Sequence, residues 1–201
     1  MPESIDRVQL RDAFGRLAEL LRRDGTVGEI YIFGGAAMVL GYRARYATRD
    51  VDALFEPREK IHRAAVEVAE ELGLPRWWLN DQATVYLPRA KDERARLVFD
   101  HPNLRVTVVS PEHLLAMKAL AARSYADIDD IQLLCEMRSI RDVHEVEEIC
   151  TRIFPDEPLS DRSRIVIEDI ISQLERERSA EKKRGRDHET GRGPEGPGFE
   201  R

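Results

Sequence analysis

Apolar residues recur at helical spacing at the start of the chain. Leu10, Phe14, Leu17 and Leu21 lie three or four residues apart, and polar or charged residues stand between them. This spacing is typical of an amphipathic helix. Short β-prone segments and a second amphipathic stretch follow. The first 110 residues are therefore predicted to contain helices at 5–23, 36–42 and 58–72 and strands at 29–33, 49–55, 95–100 and 104–110.

Beyond residue 110 every periodic segment is helical. The predicted helices cover 111–123, 127–138, 142–153 and 160–178. Residues 180–201 hold five of the chain's twelve glycines and show no periodicity, which predicts a disordered tail. The predicted fold class is α+β, with a small mixed β-sheet and flanking helices in residues 1–125 and a helical C-terminal subdomain in 126–179.

The composition is that of a soluble globular protein, with 42% hydrophobic and 35% charged residues among 201. The formal net charge of −6 disfavours general binding to nucleic acid, but it leaves room for a local basic groove. Cys135 and Cys150 lack zinc-ligand spacing, and the N-terminus has no signal-peptide pattern. The longest apolar run, residues 30–42, is too short to span a bilayer. We therefore expect a cytoplasmic protein with no membrane partner.

Two carboxylates interrupt the apolar segment "RDVDALF". Asp50 and Asp52 are two residues apart, so in a strand they project from the same face while Val51 turns into the core. Like charges side by side repel unless a cation lies between them. Mg²⁺ or Mn²⁺, held by these carboxylates together with a substrate phosphate, meets that need. The pattern alone is weak, because a D-x-D match arises by chance about once in a chain this rich in aspartate.

A glycine pair ends the strand that precedes the acidic one. Gly34 and Gly35 have no side chains, so the backbone there can approach phosphate oxygens closely. A tight turn from strand to helix explains the same glycines without any ligand. The residues alone leave both interpretations open.

The order of these features resembles a known superfamily. "GGAAMVLGYRARYATRDVDAL" resembles the signature of the polymerase-β-like minimal nucleotidyltransferases, which is a glycine turn, a short helix and an acidic strand. With "SPEHLLAMKALAARSYADIDDI" added, residues 28–135 resemble the AbiEii-type nucleotidyltransferase toxins of bacterial toxin–antitoxin systems and their relatives. The resemblance implies a nucleotidyltransferase core in residues 1–125. Some similar toxins transfer a nucleotide to the 3′ end of tRNA.

The resemblance implies roles for the first group of site residues. By this likeness, Gly34 and Gly35 hold the triphosphate of the nucleotide, and Asp50 and Asp52 bind the metal and are catalytic. Thr48 matches a nucleotide-site hydroxyl that partner kinases phosphorylate in some related toxins.

A second group of implied residues lies on the predicted helices. Lys118 matches the helix lysine of the toxin family and is expected to contact phosphate, although a lysine whose stem packs on apolar surface is the ordinary alternative. Asp127 and Asp130 match its downstream acids, one of which serves as a base, although acids at a helix N-terminus are also simply favourable there. Three arginines are candidates for binding nucleotide or RNA phosphates, with a solvated loop as the alternative: Arg43, Arg45 and Arg49.

The chain departs from the superfamily at one position. Many polymerase-β-like enzymes supply a third carboxylate from a later strand, but "LRVTVVS" offers Thr107 there, and Asp100 is the nearest substitute. The AbiEii-type resemblance points instead to the helical lysine and aspartates.

The leading hypothesis is an Mg²⁺-dependent nucleotidyltransferase that moves a nucleotide from a nucleoside triphosphate to an RNA, such as a tRNA 3′ end, or to a protein, as the toxin partner of a cognate antitoxin. One rival is an inactive module that keeps the fold and binds a partner protein. A glycosyltransferase that uses D-x-D to hold a sugar nucleotide is a more distant rival.

Overall fold

A computed structural model of the chain describes residues 4–121 and 125–190. Those residues contain seven strands: β1 Ile5–Asp6, β2 Gly28–Ile32, β3 Ala47–Thr48, β4 Val51–Glu56, β5 Leu79–Asn80, β6 Arg96–His101 and β7 Leu104–Val108. They also contain seven α-helices: α1 Arg7–Arg23, α2 Gly34–Leu40, α3 Arg58–Leu72, α4 Pro111–Ala121, α5 Tyr125–Arg138, α6 Val143–Ile153 and α7 Asp161–Thr190. A 3-10 helix, Gln82–Tyr86, follows β5. The predicted α+β class is confirmed.

The first helix begins with a capping box. The Asp6 carboxylate accepts hydrogen bonds from the backbone N–H groups of Val8 and Gln9, and the Gln9 side chain accepts one from the Asp6 N–H. These bonds satisfy N–H groups that a helix start leaves unpaired. The predicted helix over 5–23 therefore begins at Arg7, and the two residues before it form β1.

Five strands form a mixed sheet in the order β5-β4-β2-β7-β6. β2 is antiparallel to β4 and parallel to β7, β4 is parallel to β5, and β6 is antiparallel to β7. Successive side chains of a strand face opposite sides of the sheet. Ile30 and Ile32 of β2 are buried against the helical layer, whereas Tyr31 between them is only partly buried. By the same alternation, Asp52 projects from the more open face.

The short strand β5 is held by a buried tryptophan. Trp78 is fully buried, its ring lies 5.8 Å from that of Phe14, and its indole Nε1 donates a hydrogen bond of 2.9 Å to the carbonyl of Ala65 in α3. These contacts fix the chain immediately before Leu79 and Asn80. The strand is thus placed by tertiary packing.

The C-terminal helices pack onto the same core as the sheet. Buried residues of α4 to α7, such as Leu115, Leu134 and Ile167, belong to one hydrophobic cluster with those of β2 and α1. Since no feature separates the two parts at residue 126, their division stays a prediction. None of the helices in the described part of the chain has both the length and the apolar character required to cross a membrane.

Helix α7 is longer than predicted. It continues to Thr190, whereas the sequence pattern predicts an end at 178 and a disordered tail from 180. The helix thus extends past its predicted end at 178, whereas the disordered tail over 180–201 stays a prediction, and residues 191–201 lie outside the described residues. Arg, Glu and Lys dominate this stretch, and all three are strong helix formers.

A buried carboxylate fixes the loop between the 3-10 helix and β6. Asp92 Oδ2 accepts hydrogen bonds from the Tyr31 hydroxyl at 2.8 Å and from the Ser110 N–H at 2.7 Å, and Oδ1 lies 3.4 Å from Nδ1 of His113. Burial by itself raises the pKa of Asp92, but the bonds from Ser110 and Tyr31 outweigh it and lower that pKa. One side chain therefore ties the loop to both β2 and the start of α4.

We predict that Asp92→Asn destabilises the fold at neutral pH by about 2 kcal/mol, because the amide replaces a charged acceptor of two buried hydrogen bonds. The pKa is lower in the folded state, so the stabilisation is present above the unfolded pKa, about 3.9, and is lost as the pH falls through the folded value. Urea denaturation at several pH values should show the gap to wild type shrinking below about pH 4. The exposed Asp156→Asn is the control, and a constant gap would contradict the assignment.

Candidate active site

The turn between β2 and α2 has room only for glycine. Gly34 adopts φ +65, a conformation that side chains rarely tolerate, and a Cβ there would lie 3.2 Å from Oδ2 of Asp52. A Cβ on Gly35 would lie 2.9 Å from Oγ1 of Thr48 and 3.6 Å from Nη1 of Arg45. Side chains that the sequence assigns to the site thus occupy the space that a Cβ on either glycine would need. Helix α2 begins at Gly34, two residues before its predicted start.

Asp50 and Asp52 lie together at the start of β4. Asp52 is paired in register with Asn80 of the parallel strand β5, and Asn80 Nδ2 donates a hydrogen bond of 3.1 Å to Oδ2 of Asp50. Burial raises the pKa of Asp50. The hydrogen bond from Asn80 and the positive charge of Arg49 lower it, but burial has the larger effect. Burial also raises the pKa of Asp52, and the charge of Asp50 raises it further, while Asn80 and Lys118 lower it. The two carboxylates therefore repel each other in a half-buried site.

This pair of carboxylates suits a divalent cation. In the described residues there is no group of three or more His, Cys, Asp or Glu side chains that could hold a metal. Mg²⁺ is commonly bound by one or two carboxylates, with substrate phosphates and water as the other ligands. Two unneutralised carboxylates beside a bare glycine turn fit that ligand set. They do not resemble a closed structural metal site, which would need more protein ligands.

A buried ionic cluster lies beside the pair. Lys118 Nζ of α4 lies 2.8 Å from Oδ1 of Asp127 and 2.8 Å from Oδ2 of Asp130, both in α5. Arg45, from the loop after α2, donates to Asp130 through Nε at 2.9 Å and Nη2 at 2.7 Å. The Asp130 side chain is only 3% exposed. The structure therefore brings Lys118, Asp127 and Asp130 together, and the ammonium group of Lys118 acts electrostatically on Asp52.

Thr48 and Arg49 occupy different environments. Thr48 lies in β3, is buried beside Gly35, and donates a hydrogen bond of 3.0 Å from Oγ1 to the carbonyl of Asp50. Arg49 is exposed, but its charge acts on the Asp50 carboxylate. Both residues thus adjoin the acidic pair, Thr48 on its inner side and Arg49 at the surface.

The candidates for a third carboxylate lie elsewhere. Thr107 is in β7, which is separated from β4 by β2, and it pairs with Tyr31. Asp100 is in β6, at the opposite edge of the sheet from β5 and three strands from β4. Asp100, the nearest substitute for the third acid in the sequence, is therefore not beside the acidic pair. The polar neighbour that β5 supplies beside the pair is Asn80.

Sequence reasoning missed two contributions to this site. Asn80 was not singled out, because "WWLN" is too short to show the alternation of a strand. Arg45 was considered only as a phosphate or RNA ligand in a loop, whereas its guanidinium group forms a two-pronged contact with Asp130. The long separation between these residues leaves no local signal for that pairing.

Comparison with known proteins gives one match. The sequence model of the family described as "Nucleotidyltransferase of unknown function (DUF6036)" matches residues 8–171. The matched range includes every site residue described above. No curated protein matches the chain, and no solved structure matches it.

We predict that Asp130→Asn lowers the unfolding free energy by about 3 kcal/mol. This value is at the lower end of the range for breaking a buried ion pair, because Arg45 is partly exposed. The variant leaves two cations without their shared carboxylate. Urea denaturation measures the loss. The neighbouring Asp129→Asn changes the same charge at an exposed position and should stay within about 0.5 kcal/mol of wild type. Equal stability of both variants would show that the cluster does not hold α5 to the site.

Proposed function

Because the chain belongs to this family of nucleotidyltransferases, we propose that it transfers a nucleotide from a nucleoside triphosphate to a hydroxyl group of an RNA or protein, with Mg²⁺ or Mn²⁺ as cofactor. One observation carries the proposal: Asp50 and Asp52 are mutually repelling carboxylates, and the carboxylate of Asp52 lies beside the Gly34 turn. A cation and a polyphosphate together neutralise such a pair. A structural role alone would not require this arrangement.

The reaction is an in-line displacement at phosphorus. The acceptor oxygen forms a bond to the α-phosphorus, the bond from that phosphorus to the bridging oxygen breaks, and pyrophosphate leaves with the electron pair. Asp50 and Asp52 would hold the metal ion, which when bound supplies charge neutralisation for the triphosphate. The bare backbone at Gly34 and Gly35 orients the phosphates. Most of the rate enhancement then comes from positioning and electrostatics.

The helical residues have separate tasks in this proposal. Lys118 turns from its carboxylate partners towards the negative charge of the triphosphate near Asp52. Asp130 is a positioning residue, because Arg45 and Lys118 occupy its oxygens and the side chain is buried. Asp127, which is more exposed than Asp130, is the candidate base that accepts the proton of the acceptor hydroxyl.

Thr48 is the proposed target of a regulatory kinase. Its hydroxyl lies beside Gly35 and bonds to the carbonyl of Asp50. A phosphate on that oxygen would add negative charge next to two carboxylates and fill the space proposed for the triphosphate. Phosphorylation would therefore switch the enzyme off. Since Thr48 is buried, the kinase requires β3 to separate from β1.

The first test replaces the acids one at a time. We predict that Asp50→Asn and Asp52→Asn each reduce labelling of host RNA or protein from radiolabelled nucleoside triphosphates by at least about 100-fold, since each removes a metal ligand. Their unfolding free energies should be unchanged or higher, because each substitution relieves the repulsion between the pair. This combination of abolished activity and retained stability distinguishes a functional acid from a structural one.

Asp156→Asn, an exposed position with the same charge change, is the control for labelling. Full activity in both acidic variants would refute the proposal. If the wild-type chain shows no binding of any nucleoside triphosphate by calorimetry in the presence of Mg²⁺, the favoured function is instead a partner-binding module that retains the fold. One observation favours that alternative. Thr107 and Asp100 lie on strands β7 and β6, away from the acidic pair at the start of β4, so neither strand supplies a third carboxylate there.

We further propose that the enzyme is the toxin of a toxin–antitoxin pair, which rests on the resemblance of residues 28–135 to AbiEii-type toxins. Expression of the wild-type chain alone should arrest growth of its native host, and Asp52→Ala should relieve the arrest. Growth curves of matched expression strains measure both. Wild-type protein that is harmless at the same level would overturn the toxin role but leave the transfer reaction standing.

A further inference from the structure

Four arginines converge on one surface next to the candidate active site. They come from the first turns of α1, the loop after α2 and the start of β6, and we refer to them as the arginine cluster: Arg7, Arg11, Arg43 and Arg96. Three of them are exposed and Arg7 is partly exposed.

Hydrogen bonds to backbone carbonyls hold the cluster together. Arg96 Nη1 donates a bond of 2.9 Å to the carbonyl of Gly41, two residues before Arg43. Arg11 Nη2 donates one of 3.3 Å to the carbonyl of Val98, two residues after Arg96. Arg7 lies one helical turn, ~6 Å, from Arg11. These bonds bring side chains from three elements to the same place, although their charges repel.

The positive charge of the cluster is not compensated within the described part of the chain. None of its four members takes part in a salt bridge there. Partial burial lowers the pKa of Arg7, and the charges of the other three lower it further. Other arginines differ from the cluster in this respect, since Arg94, Arg138 and Arg152 all contact the Glu112 carboxylate. In a chain of net charge −6, this is a local reversal of sign.

The cluster adjoins the site through two short connections. Thr48, which contacts Gly35, pairs with Ile5 across β1 and β3, and Arg7 follows two residues later. That path is one inter-strand spacing plus two residues, ~10 Å in all. Arg43 is two residues before Arg45, whose guanidinium group also lies against Gly35. A ligand that reaches from the acidic pair to the cluster must therefore span at least ~10 Å.

We propose that the arginine cluster binds the sugar-phosphate backbone of a nucleic-acid acceptor and thereby directs a terminal hydroxyl group to Asp50 and Asp52. Guanidinium groups bind phosphates in two-pronged fashion and remain charged at any physiological pH. In a nucleic acid, each repeating unit carries a phosphate at a fixed number of bonds from the sugar hydroxyl. Binding the phosphates therefore also fixes the position of the terminal hydroxyl group. The inference rests on the proposed transfer reaction and specifies its acceptor as nucleic acid, in preference to protein.

The test measures binding directly. The probe is a fluorescein-labelled single-stranded oligouridine, and the readout is fluorescence anisotropy over a range of salt concentrations. The triple variant R7Q/R11Q/R43Q should weaken binding at least about 10-fold at physiological salt. It should also lower the slope of log Kd against log salt by about two to three, because each phosphate that an arginine no longer neutralises reduces that slope by about one.

The matched control removes three arginines at the other end of α1 and on the adjoining part of α3: R22Q/R23Q/R63Q. It makes the same change in net charge ~24 Å from Arg7, and it should retain wild-type affinity and slope. If the triple variant does not fold, the single variant R43Q replaces it, because Arg43 lies in a loop. R43Q should lower the slope of log Kd against log salt by about one. Equally weakened binding in both triple variants, or wild-type binding by the cluster variant, would overturn the assignment.

Two further measurements separate this inference from the transfer reaction. Asp52→Asn should bind the oligouridine at least as tightly as wild type, so RNA binding by a chain that transfers nothing would still support the cluster while the transfer proposal fails. Labelled polyglutamate is the competing polyanion. Binding of polyglutamate through the cluster, without binding of oligouridine, would overturn the nucleic-acid assignment and favour a protein acceptor.

Discussion

Repulsion between Asp50 and Asp52 is the constraint to which the rest of the site responds. Both carboxylates are half-buried, burial raises the pKa of each, and the charge of Asp50 raises the pKa of Asp52 further. The fold nevertheless keeps them together, because Asp52 is fixed in β4 against the Gly34 backbone and Asn80 of β5 donates to Asp50. A protein that needed only a stable core would place apolar or neutral side chains here. In the proposed function, a cation and a polyanion would complete the site of which this pair is one half.

The ionic cluster explains how the C-terminal helices take part in a site built on the sheet. Asp130 of α5 accepts from Arg45, which lies against Gly35, and from Lys118 of α4. A helix displaced by even a small amount would leave Asp130 buried and unpaired, which is costly. The ion pairs therefore fix the position of α5 relative to the glycine turn. They also hold the Lys118 ammonium group where its charge acts on Asp52.

The acidic pair and the glycine turn could be predicted from the sequence because their signals are local. Two acids at strand spacing share a face, and a glycine pair after a strand marks a turn. The roles of Lys118, Asp127 and Asp130 came from resemblance, and their ion pairs had no signal in the sequence, since the angle between two helices leaves no trace in residue spacing. The sequence does not reveal strand order, so it does not show that Asp100 of β6 lies at the far edge of the sheet from β5. Asn80 was missed because Trp78 packing, not alternation, places its strand.

Negative and positive charges are separated around the site, which the net charge of the chain does not show. The glycine turn has carboxylates on one side, and an uncompensated set of arginines begins ~10 Å away across β1 and β3. In contrast, the arginines near Glu112 share a carboxylate and are partly neutralised. Unpaired like charges destabilise a folded chain unless a ligand of opposite sign screens them. In the proposed function, a cation at the acids and a polyanion across both surfaces would relieve the two repulsions at once, and the acidic pair and the arginine cluster would then be parts of one extended site.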